Sequence, residues 1–129
     1  MYFPIINRFT VFNSQLPRTI QKLKNKGINP IIDYSVESKG NKFKIFNEIQ
    51  KKQILFPNNT FAIKPSGIMN SNIDLTHKIF DQIAVTAKYE SNNILIDAES
   101  VDIQPEINFI TDKLIKKFHK RNKVNLKKT

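Results

Sequence analysis

Apolar residues recur along the chain in two alternating rhythms, one helical and one extended. Ser14 to Lys26 reads as a first helix, because Leu16, Ile20 and Leu23 fall at i, i+4 and i+7 and form one stripe. Ser14 suits its N-cap, and Gly27 suits the position just past its end. Pro30 then holds the preceding residue extended, and Ile31 to Ser35 reads as a short strand. A second helical stretch, Lys42 to Ile54, places Phe43, Phe46, Ile49 and Gln50 near helical spacing, and Pro57-Asn58-Asn59 breaks it. Thr60 to Lys64 is the second strand, closed by Pro65 and Gly67. From Asp74 to Tyr89 the positions Leu75, Ile79, Ile83 and Ala87 form an i+4 ladder. Asn92 and Asn93 turn the chain into a third strand, Ile94 to Asp97. A fourth helix, Gln104 to Arg121, points Ile107, Ile110, Leu114 and Phe118 inward and leaves a lysine-rich outer face. Asn122 to Thr129 reads as a polar, frayed tail.

The order α-β-α-β-α-β-α predicts an α/β fold with parallel strands and crossover helices. Its period supports this. Asp33 to Lys64 is 31 positions and Lys64 to Asp97 is 33, close to the roughly 30 residues of one βαβ unit. Continuing the period puts a fourth strand near position 129. Neither a linker nor a composition break divides the 129 residues, so one domain is expected.

Composition narrows the chemistry. There is no cysteine, which excludes disulfides and thiolate metal clusters. Apolar residues make up 40% of the chain, enough for a packed core. No run approaches the roughly 18 apolar residues of a membrane span. The opening MYFPIINRF lacks the apolar run of a secretory signal. The sequon Asn58-Asn59-Thr60 is therefore not expected to be used. The net charge of +10 points to nucleic acid at first sight. However, 18 of the 21 basic residues are lysine, and base readout leans on the planar fork of arginine. Lysine, asparagine and isoleucine dominate instead, as in genomes rich in A and T. A basic nucleic-acid-binding domain is thus kept only as a second alternative.

Each strand ends on an ionisable residue: Asp33, Lys64 and Asp97. Alternation along a strand puts Lys64 on the face of Ala62 and Asp97 on the face of Leu95. In parallel α/β folds ligands bind beyond the carboxyl ends of the strands, and charges there are too costly to serve as core filler. The residues alone leave several uses open. Asp33, Asp97 and Glu99 could ligate Mg²⁺. Lys64 could form a Schiff base. Each could equally be a solvated strand end. Ser66 sits outside any nucleophile elbow and reads as a loop residue. His77 and His119 lack the spacing of metal ligands and read as surface or cap residues.

Three segments carry a resemblance. GINPIIDYSVES (27–38), TFAIKPSG (60–67) and ILIDAESVDIQP (94–105) resemble, in order, the first three strands of the proline dehydrogenase (proline oxidase) family, and the likeness extends over residues 9–123. The resemblance implies a portion, about three βα units, of a (β/α)8 TIM-like barrel that binds FAD. The implied activity is oxidation of L-proline to Δ1-pyrroline-5-carboxylate in proline catabolism, with a quinone as electron acceptor and weak peripheral membrane contact. By the same resemblance Lys64 and Asp97 line the proline pocket as catalytic residues, Lys64 lies against the flavin, and Asp33 and Glu37 bind on the substrate side, Glu37 pairing with a late arginine. The family is mitochondrial in eukaryotes and cytoplasmic or membrane-peripheral in bacteria. The likeness covers the N-terminal part of the barrel. The expectation is therefore a truncated form or fragment of such an enzyme, or a non-catalytic interaction fragment or split half completed by another chain.

Overall fold

The computed structural model describes residues 13–33, 41–99, 101–119 and 126–128. The chain, expected as one domain, divides into two compact units, residues 1–30 and 31–129.

In the first unit a 3-10 turn, Asn13–Gln15, leads into helix α1, Leu16–Asn25. Gln15 rather than Ser14 takes the N-cap position, without a side-chain cap, and a proline in the first turn suits the start. The end is a Schellman motif. The Ile28 amide donates to the Leu23 carbonyl and the Gly27 amide to the Lys24 carbonyl, both at 2.9 Å. Gly27 stands at φ +76°, the left-handed conformation for which glycine is suited. Ile20, from the expected stripe, is buried.

The second unit is α/β. Strands β1 (Ile31–Asp33), β2 (Thr60–Ile63), β3 (Asn93–Ile96) and β4 (Leu126–Lys128) alternate with helices α2 (Lys42–Leu55), α3 (Ile73–Glu90) and α4 (Gln104–Leu114). All three strand pairings are parallel, and the strand order in the sheet is the chain order, β1-β2-β3-β4. The alternation of βα units expected from the pattern is therefore present. β4 lies where the repeat places a fourth strand, inside the segment expected to be a frayed tail, and pairs Ile94 with Leu126. Asn41 caps α2 and Asn72 caps α3, each side-chain oxygen accepting an amide hydrogen bond at 3.2 Å.

One face of the sheet is the core. Ile32, Phe61, Ile63, Ile94 and Ile96 are buried there, as are Ile79, Phe80 and Ile83 of α3 and the predicted Ile107, Ile110, Leu114 and Phe118. The intervening positions look the other way. Ile31 is 57% exposed, and Thr60, Ala62 and Leu95 are half-buried. Among the described residues no helix is long and apolar enough to cross a membrane.

Two helices depart from the expected pattern. The buried side of α2 is Ile45, Ile49, Lys52 and Gln53, not Phe43, Phe46 and Gln50, and Phe43 is exposed. Two polar residues disguise the stripe, and each has a partner. The Gln53 amide donates to the Ile83 carbonyl at 3.0 Å and its oxygen accepts from Gln50, which in turn accepts from Thr86 at 3.1 Å. Lys52 lies 3.7 Å from the Glu48 carboxylate. The last helix is regular only to Leu114 and then widens into a π-helical turn, Ile115–His119. Residues 120 and 121, expected to continue it, lie outside the described residues.

Candidate functional site

The three strand-end residues sit on the side of the sheet away from the core. Asp33 ends β1 and is in register with Ala62, which is in register with Leu95. Lys64 follows β2 with extended backbone, φ −91° and ψ 110°. Asp97 follows β3, and its amide donates to the Ile63 carbonyl at 3.0 Å, so the ladder runs one step past the strand. Extending the Ile63–Ile96 register by one residue sets Lys64 beside Asp97. Alternation puts both opposite in direction to buried Ile63 and Ile96. Asp33 and Lys64 are exposed and Asp97 is half-buried. The topology thus gathers two carboxylates and one ammonium at the carboxyl ends of three adjacent parallel strands, where ligands bind in such folds. Glu37 lies outside the described residues.

The loops above these strand ends are joined by a link that sequence reasoning missed. The Glu99 carboxylate accepts from the Ser66 hydroxyl at 2.8 Å and from the Ser66 amide at 3.2 Å. The Glu99 amide in turn donates to the Gln104 side-chain oxygen at 2.7 Å, at the start of α4. The Lys42 ammonium donates to the Met69 carbonyl and ties the start of α2 to the loop after β2. Ser66 and Glu99 are 33 positions apart, one repeat, and that shared phase was the available signal. The link brackets Lys64 and Asp97, each two residues before one of its ends. Replacing Glu99 by alanine is expected to speed exchange of the Ser66 amide by roughly tenfold, the equivalent of one charge-assisted hydrogen bond. Hydrogen exchange read by NMR measures it, with the Ile63 and Ile96 amides as unchanged controls.

Other candidates resolve differently. Among the described residues no group of three or more His, Asp or Glu is placed to hold a metal ion, so Asp33, Asp97 and Glu99 do not form a cation site. His77 is half-buried on the side of α3 toward α4, its Nδ1 3.2 Å from the Lys113 ammonium and its ring 5.7 Å from that of Phe109. Lys117 reaches Asp81 at 3.4 Å, so part of the lysine-rich face of the last helix is bonded to α3.

Fold and strand ends together define an α/β protein with a parallel sheet and a charged carboxyl-end face. No protein-family model matches the chain, and no curated protein matches it in sequence.

Proposed function

We propose that this chain forms part of a FAD-dependent proline dehydrogenase barrel, in which Lys64, Asp97 and Asp33 contribute to the pocket that oxidises L-proline to Δ1-pyrroline-5-carboxylate. The reading is supported by one observation, the convergence of these three residues on the open face at the carboxyl ends of β1 to β3. L-Proline is a zwitterion. Its carboxylate calls for a cation and its amine for acceptors, and an exposed lysine beside Asp97, with Asp33 on the next strand, offers both. FAD, when bound, accepts the hydride that leaves the proline ring. Lys64 fits the ring end of that cofactor, because an ammonium offsets negative charge gained there. The described residues hold no glycine-rich turn for its diphosphate, so that end falls to other strands of the barrel.

The half-open sheet favours a second reading: a non-catalytic piece, or half of a split enzyme, that works only with a partner chain. Ile31, 57% exposed on the open face beside Asp33, is the observation behind it. One titration separates the two. The chain is supplied with FAD and then L-proline, with the flavin absorption spectrum and the amide NMR spectrum followed together. The catalytic reading expects a protein-bound flavin that proline bleaches, with amide shifts at Asp33, Lys64 and Asp97. A colourless chain with no shift at any of the three overturns catalysis by this chain alone and leaves the partner-dependent reading.

A further inference from the structure

The opposite end of the sheet carries two asparagines in equivalent places of successive repeats. Asn59 immediately precedes β2, and Asn92 immediately precedes β3. Thr60 is in register with Asn93, so Asn59 and Asn92 are neighbours one step before the ladder. The Asn93 amide donates to the Asn59 carbonyl at 3.0 Å and confirms the pairing. Alternation points both side chains to the core side, with Phe61 and Ile94. Asn92 is 0% exposed and Asn59 6%.

The two amide groups converge on one acceptor. Both side-chain nitrogens donate to the Phe56 carbonyl, Asn59 at 3.2 Å and Asn92 at 3.3 Å, and Asn59 also reaches the Pro57 carbonyl at 2.9 Å. These bonds fix which way each amide faces, because turning either one over would set oxygen against oxygen. Asn59 Oδ1 and Asn92 Oδ1 are left buried, with no partner among the described residues. Three neighbouring backbone donors are already used. The Asn58 amide goes to the Glu90 carbonyl, and the Ser91 and Asn92 amides go to the Ala87 carbonyl. The nook is therefore rich in acceptors and short of donors. Buried amide oxygens are rarely left unsatisfied, so the ligand that fits is a small hydrogen-bond donor.

We propose that Asn59 Oδ1 and Asn92 Oδ1 together bind one buried water molecule, which donates one O–H to each. The chemistry selects water over a metal ion. Hard cations take about six or more oxygens, carboxylates among them, whereas this nook offers two neutral amide oxygens. A buried water needs two to four polar partners, and two acceptors match its two hydrogens. The water joins the bases of β2 and β3 through side chains, as the ladder joins them through backbone. This inference is independent of the proline reading.

A high-resolution crystal structure of the whole chain tests it without any substitution. The expected result is one ordered water within hydrogen-bond distance of both oxygens. A coordinated metal ion there, or no water in reach of both, overturns the proposal. In solution, oxygen-17 relaxation dispersion counts long-lived internal waters. Asn92→Ala is expected to lower that count by one relative to the unsubstituted chain, and an unchanged count in the folded variant overturns the shared site.

Discussion

Replacing Phe61 by alanine lowers the unfolding free energy by about 3–5 kcal/mol, the range for emptying a large aromatic from a packed core. Phe61 is 3% exposed in β2, with Ile32 and Ile94 beside it in register on the two flanking strands. These neighbours are held by their own ladders and cannot move in to fill the space, which puts the loss near the top of the range. A chain of this size has roughly 5–15 kcal/mol in total, so a loss of about 5 kcal/mol removes a third of it or more. Urea unfolding followed by circular dichroism measures the loss. Ile31→Ala, on the opposite face and 57% exposed, serves as the matched control, with a change within about 1 kcal/mol. Equal losses at the two positions would contradict the assignment of one covered and one open face.

Replacing Lys64 by alanine, in the complete barrel of the proposed enzyme, lowers proline turnover about 100-fold, the scale of removing one preorganised charge or donor from a developing anion. Lys64 is exposed and belongs to none of the ion pairs found among the described residues, so its removal leaves the unfolding midpoint nearly unchanged. The contrast is with Lys52, a buried lysine beside Glu48, whose truncation acts on stability and leaves turnover per folded molecule intact. Measuring kcat/KM and urea stability side by side for both variants separates the two lysines. Full turnover in Lys64→Ala would remove this residue from the site.

Much of this architecture is written in local rhythm. Short apolar runs mark β1 to β3, a period near 3.6 marks the helices, and their alternation at about 30 residues predicts parallel strands. Strand parity puts Lys64 with Ala62 and Asp97 with Leu95, and the register of Ala62 with Leu95 then sets both on one face. Gly27 as a helix stop and the inward set Ile107, Ile110, Leu114 and Phe118 were equally legible, since each depends on backbone geometry within a few residues. The repeat even anticipated β4, although the polar composition of 122–129 argued for a tail.

Long-range hydrogen bonding decided the rest. Gln53 is fully buried because the Ile83 carbonyl and Gln50 satisfy it from across and along the helix pair, and no apolar count on α2 could show that. The sequence offered Glu99 only as a Mg²⁺ ligand beside Asp33 and Asp97, and only the parallel pairing of β2 with β3 brings Ser66 within 2.8 Å of it. Asn59 and Asn92 look like ordinary turn residues until the register sets them side by side under the sheet. Periodicity reports which way a side chain points from its own segment. Whether a polar group there is tolerated depends on partners 30 or more residues away, and those partners exist only once the strands have paired.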